Sequence, residues 1–74
     1  MPNDFVKTEL ATRFTYHAPK GDQAERYQMI RNMGKAFATL ISEKTPFSRE
    51  QTLAIGKIEE AVMWANAAIA RREE

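Results

Sequence analysis

A proline set between two long apolar-periodic stretches limits what this chain can become. Pro46 stands in Glu43-Lys44-Thr45-Pro46-Phe47, and it cannot continue a helix arriving from the N-terminal side. Before it, Tyr27, Ile30, Gly34, Phe37 and Ile41 recur at three-four spacing, with Met29, Met33, Ala36 and Leu40 in a second row beside them. After it, Gln51, Ala54, Ile55, Ile58, Val62, Ala65 and Ile69 form one seam, flanked by Leu53, Ala61, Trp64 and Ala68. This spacing predicts helices from about Asp22 to Lys44 and from about Arg49 to Arg71. Asp22 with Glu25, and Ser48 with Gln51, read as capping boxes that start them. The connection is short, so the two helices are antiparallel neighbours. The expected fold is all-α, an antiparallel two-helix hairpin.

The hairpin leaves too much apolar surface over. At ~100° per residue, two adjacent rows cover about half of each helix, and one partner helix consumes only part of that. Exposed patches beyond a few hundred Å² are rare on soluble monomers. The hairpins are therefore expected to associate, with a closed symmetric assembly the usual outcome. Length points the same way. A single domain of 74 residues buries a modest share of its surface and often needs a staple. With no cysteine and one histidine, neither a disulfide nor a metal site is expected to supply it.

Eleven Lys and Arg against ten Asp and Glu leave a net charge of +1. Proteins that grip duplex DNA or RNA carry a clear basic excess, so no polymeric nucleic acid is expected, and local basic pairs suit a small anion better. No apolar run approaches the ~20 residues that span a bilayer. The opening Met1-Pro2-Asn3-Asp4 does not read as a secretion signal, and a cytosolic protein is expected.

The hairpin is preceded by two smaller pieces. Residues 1–12 read as a short helix or tail, with Asn3 or Asp4 as the cap and Phe5, Val6 and Leu10 as apolar positions. About two turns are marginal alone, so this piece docks or frays. Residues 13–74 form the arm plus the hairpin. The arm is Arg13-Phe14-Thr15-Tyr16-His17-Ala18-Pro19-Lys20, the one aromatic and basic segment without helical pattern. Pro19 keeps Ala18 out of the helical region. Extended backbone would set Phe14 and Tyr16 on one side, where rings beside cations can stack on flat groups and hold anions. The terminal Glu73 and Glu74 are expected to fray, while Arg71 and Arg72 suit the C-terminal end of a helix dipole.

Candidate chemistry is sparse. No nucleophile-base constellation or glycine-rich phosphate loop is present, and no catalytic residue is assigned. Glu59 and Glu60 are adjacent, so they diverge on a helix and read as a solvated face. His17 reads first as a packing or hydrogen-bonding residue. From residue type alone, Tyr16 is better read as a cover over the end of the hairpin core, Phe14 as core, and Arg31 and Lys35 as ordinary surface charge. Trp64 and the methionines read as interface residues.

One resemblance alters these readings. Phe14-Thr15-Tyr16-His17 before Pro19, then Glu25-Arg26-Tyr27 and Ile30-Arg31, and the run Glu59-Glu60-Ala61-Val62-Met63-Trp64-Ala65-Asn66-Ala67-Ala68-Ile69-Ala70-Arg71 resemble small bacteriophage proteins. These are cyclic-nucleotide sponges that block CBASS, the bacterial cyclic-oligonucleotide anti-phage signalling system. The resemblance covers roughly Arg13 to Arg71. It implies a helical hairpin assembled as a homohexamer, acting in the cytoplasm of the infected host. It also implies binding of cyclic dinucleotides such as cyclic GMP–AMP between protomers, without cleavage, and in some members cyclic trinucleotides in a second pocket. No cofactor is implied. The stacking tyrosine falls on Tyr16. The phosphate-facing cation falls on Arg31 with Lys35 as its rival, and Phe14 and His17 lie beside them. For the second pocket the candidates are Arg13 and Arg71. Two other readings stay open: a helical protein-interaction module, and a sponge for cyclised ADP-ribose signals.

Overall fold

The computed structural model describes residues 3–73. Among them the chain forms three helices and no strand: α1 (Asn3–Arg13), α2 (Gln23–Lys44) and α3 (Arg49–Arg72). α2 and α3 are the expected hairpin, and its turn shows why. Thr45 ends α2, its amide and hydroxyl both donating to the Ile41 carbonyl at 3.1 and 2.6 Å. Its backbone then swings to an extended φ of −131° and ψ of 154°, as a residue before proline must. Ser48 opens α3 from an extended conformation, its hydroxyl accepting from the Gln51 amide at 3.1 Å. The Gln51 side chain does not complete a capping box. It donates instead to the carbonyls of Ser42 and Thr45 at 3.2 and 3.0 Å, latching the turn onto α2.

The start of α2 departs from expectation. Asp22 precedes the helix but makes no side-chain cap. Its carboxylate reaches forward to Arg26 Nε at 3.1 Å. Gln23 does the local work: its side-chain oxygen accepts from the Lys20 amide at 3.0 Å, and its own amide donates to the Lys20 carbonyl at 3.1 Å. Gly21, at φ +58°, supplies the left-handed residue this sharp entry requires. A guanidinium one turn along thus competes for the carboxylate that would otherwise cap the helix.

The open end of the hairpin is tied by polar groups. Gln23, 5% exposed, donates to the Ile69 carbonyl at 3.5 Å and to Glu73 at 3.1 Å. Arg26 grips the same Glu73 with both terminal nitrogens, at 2.7 and 2.6 Å. Glu73 is therefore fixed, not frayed; Glu74 lies outside the described residues. At mid-hairpin Gly34 lets the helices approach, since a Cβ there would stand 2.5 Å from Val62 Cγ2.

α1 runs one residue further than expected, so Arg13 is helical and the arm begins after it. Its start, Asn3 and Asp4, lies inside the first turn. No residue of α1 is buried. It is anchored through Glu9, which accepts both Arg72 guanidinium nitrogens at 2.8 Å and Arg13 Nε at 3.2 Å. A bidentate arginine fork fixes orientation as well as distance, and this pair links α1 to the end of α3.

The molecule measures 49 × 33 × 13 Å. Its least dimension is about one helix diameter, so the fold is a single layer. A stable domain encloses its core between at least two layers. Here Ile69 is the one buried apolar residue among those described, and Phe37, Leu40, Met33 and Trp64 are all at least half exposed. The accessible surface is 6099 Å², against about 4,700 Å² expected for a compact chain of this mass.

Candidate functional site

The two faces of the hairpin are built differently. On one, α2 presents Tyr27, Arg31, Lys35 and Ala38, and α3 presents Ile55, Glu59, Met63, Asn66 and Arg71. The arm closes one end of this face with Tyr16, His17 and Pro19. The result is an open groove of about 940 Å³. The other face carries a trough of about 590 Å³ lined by Ile30, Met33, Phe37, Ile41, Ala54, Ala61 and Ala65, with Lys57 as its one charged residue. Gly34, Ile58 and Val62 line both and so form the partition between them.

Helix period selects the residues of the groove. Tyr27, Arg31 and Lys35 are four residues apart and share one stripe of α2. Both cations are exposed, and neither takes part in an ion pair among the described residues. Their charge is available to a ligand, in contrast to Arg26 and Arg72, which are committed to Glu73 and Glu9.

The arm places Tyr16 over the end of the groove. His17 Nε2 lies 2.8 Å from the Thr12 carbonyl, which folds the arm back against α1 and leaves His17 half-buried. Tyr16 is 83% exposed, so it does not cover a core: its ring is presented outward. Phe14 is equally exposed and is not core either. It still belongs to the turn that ends α1, its amide donating to the Leu10 carbonyl at 3.0 Å. The alternation that would align Phe14 with Tyr16 therefore fails. Phe14 lines neither the groove nor the trough.

Arg13 and Arg71 do come together, with Trp64, Ala67, Ala68 and Arg72, around a smaller hollow of about 370 Å³. Arg71 lines this hollow and the main groove at once. Arg13 is shared with Glu9. Trp64, expected at an interface, is exposed and donates to Glu60 at 3.3 Å.

Three groove residues lay outside the sequence reading of the site. The Tyr27 hydroxyl and the Asn66 carbonyl oxygen are buried atoms without a hydrogen-bond partner. Glu59 and Glu60 diverge as expected, but Glu59 enters the groove while Glu60 turns to Lys57 and Trp64. The signal was present: Glu59, Met63, Asn66 and Ala70 repeat at the same period as the cations opposite.

Electrostatics pin the frame around the groove. The Arg26 guanidinium and the Gln23 amide hold the Glu73 carboxyl at about 2, well below its ordinary 4.5. Arg72, then Arg13, bring Glu9 down to about 2 as well, against the opposing effect of burial. In return Glu73 raises Arg26 and Glu9 raises Arg72. No cluster of His, Asp and Glu that could hold a metal is present among the described residues. No described helix is long and apolar enough to cross a membrane.

The hairpin is thus a single helical layer with an aromatic arm over a groove lined by cations and one carboxylate. The chain belongs to the anti-CBASS sponge family: the family model "Acb2/Tad1, hairpin domain" matches residues 7–70. The match takes in the arm, α2, α3 as far as Ala70 and the second half of α1. No match was found among curated proteins or among solved structures.

Proposed function

We propose that this protein sequesters cyclic oligonucleotide second messengers, cyclic GMP–AMP among them, binding them without cleavage and so starving a CBASS effector of its signal. The observation that carries this reading is one groove holding an outward-facing Tyr16 ring with the uncommitted cations Arg31 and Lys35. Its volume is in the range of small-molecule sites. A cyclic dinucleotide offers two base faces and two phosphate charges. Stacking on Tyr16 contributes about 1–3 kcal/mol per base, and a charge-assisted phosphate contact contributes about 1.5–3 kcal/mol. Arg31 is the better candidate for that contact because its planar fork can grip two oxygens. Sequestration requires tight binding and slow release, not turnover.

The groove is open on its outer side, and the protomer is one layer thick. A second copy closes it and supplies a second Tyr16 related by two-fold symmetry. The apolar trough and the exposed rows around it are the matching reason for assembly, and the assembly proposed is a homohexamer. In such an assembly the hollow around Arg13 and Arg71 is the candidate for cyclic trinucleotides. The place of action is the cytoplasm of a phage-infected bacterium.

Titration calorimetry against cyclic di- and trinucleotides, with a thermal-shift series, tests the reading. Cyclic GMP–AMP is expected to raise the melting temperature with concentration, by linkage of binding to folding. Arg31→Ala is expected to weaken binding and flatten its salt dependence, since the phosphate contact carries the screening. A protein-docking module would respond to no nucleotide. A response confined to cyclised ADP-ribose would move the function to a different signal.

A further inference from the structure

The arm that carries Tyr16 is held at one point. From Phe14 to Lys20 every residue is exposed except His17, which is half-buried. The Phe14 amide belongs to the closing turn of α1, and Lys20 is paired with Gln23 at the start of α2. Between those two ends, the hydrogen bond from His17 Nε2 to the Thr12 carbonyl, at 2.8 Å, stands alone among the described residues. Pro19 has no amide to add.

The chemistry of that contact is one-sided. A backbone carbonyl only accepts, so Nε2 carries the hydrogen and donates it. The acceptor lies in α1, which Glu9 links to Arg72 at the end of α3. Neighbouring side chains on extended backbone point to opposite sides. With His17 turned in against α1, Tyr16 is turned out, and its ring is 83% exposed at the mouth of the groove. The orientation of the ring therefore depends on a hydrogen bond made by the next residue.

We propose that His17 is the positioning residue of this site: its tether to Thr12 sets the Tyr16 ring in place before the ligand arrives. The inference rests on the sponge reading above and gives His17 a part in the same site through Tyr16. A ring already in place binds without the cost of ordering the arm. An arm cut loose spends part of its time elsewhere, and apparent affinity falls by the fraction of arms correctly placed.

The test compares the full chain with His17→Ala, His17→Asn and His17→Gln. The amide nitrogen of glutamine reaches about as far as Nε2, whereas that of asparagine reaches only about as far as Nδ1, so glutamine alone can restore the tether. Two measurements are made on each protein: calorimetry with cyclic GMP–AMP, and backbone amide order parameters of Tyr16 and Ala18 by NMR without ligand. With two arms on one two-fold ligand, His17→Ala and His17→Asn are expected to lose roughly 5- to 150-fold in affinity. Their arm order parameters should drop from about 0.85 to below about 0.6, and His17→Gln should restore most of both. The melting temperature should hold in all three, because the arm packs no core; were His17→Ala not to fold, the Asn and Gln pair makes the same comparison. Affinity lost with arm order unchanged would mean that His17 touches the ligand itself. That result, equal behaviour of Asn and Gln, or an arm and an affinity indifferent to all three changes would overturn the inference and leave the sponge reading standing. A parent chain that bound no cyclic nucleotide would overturn both.

Discussion

The two faces of the hairpin share a partition of Gly34, Ile58 and Val62, yet they solve opposite problems. The groove face gathers Arg31, Lys35, Glu59 and Arg71, and it keeps buried polar atoms of Tyr27 and Asn66 without partners. The trough face shows Phe37, Met33 and Ile41 and a single charge, Lys57. Unsatisfied buried polar atoms are costly, and these two lie where a polar group entering the groove could meet them. An apolar trough of this kind, one helix layer from solvent, is unusual on a soluble monomer. The same two helices can present both because each carries two apolar rows, and only one is consumed between them. A chain one helix layer thick thus leaves a polar groove and an apolar trough back to back, with no core to separate them.

Substitutions can separate the faces. The largest effect is expected on the groove side: Tyr16→Ala should cost roughly 2–6 kcal/mol of cyclic dinucleotide affinity, two stacking contacts per two-fold pocket. Tyr16→Phe should keep most of it. Calorimetry reads the affinity, and light scattering should show the assembly unchanged, because the Tyr16 ring is exposed. If Tyr16→Ala unfolded the protein or bound ligand as well as the parent, the arm would not be the site.

On the trough side, Phe37→Ala should cost about 2–4 kcal/mol of association if that face is an interface centre. Light scattering over a dilution series would show smaller species, whereas an unchanged mass would assign the trough no partner. The partition itself is the next target. Gly34→Ala adds a methyl 2.5 Å from Val62 Cγ2, and overpacking of this kind costs about 1–3 kcal/mol against a helix-propensity gain of about 1 kcal/mol. The melting temperature should fall, and Val62→Ala in the same chain should restore much of it. Both faces should suffer together, which no substitution confined to one face reproduces.

The smallest effect concerns acid. Glu9 and Glu73 are held at about 2 when folded and return toward 4.5 when unfolded. The unfolded chain then binds more protons, so the stability they add is present above about 4.5 and is lost as pH falls toward 2. Both ion pairs are at the surface, where screening keeps such contributions small. Thermal melts of the parent between pH 5 and 2.5 should show a downward slope, shallower in Glu9→Gln and Glu73→Gln. An identical slope in all three would assign the acid sensitivity elsewhere.

Much of this was legible in the residues. Pro46 and the two three-four repeats determine the hairpin by themselves, because a helix cannot pass a proline and a short link leaves only the antiparallel return. The doubled apolar rows announced more hydrophobic surface than one contact uses. The pattern of Phe14-Thr15-Tyr16-His17 and the run from Glu59 to Arg71 carried the family, and periodicity set Arg31 and Lys35 on one stripe. Tertiary structure decided what depends on competition between partners distant in sequence. Asp22 lost its capping role to Arg26, and Glu73 was drawn from a frayed end by the same guanidinium. Glu9 became the anchor of α1 because Arg72 stands opposite it. Phe14 and Tyr16 parted because α1 runs through Arg13 and its closing turn holds Phe14. Only the register of α2 against α3 brought Glu59, Asn66 and Tyr27 into one groove with the cations. Local pattern fixes which residues share a helix face, while which faces meet depends on packing between segments that the pattern of neither contains.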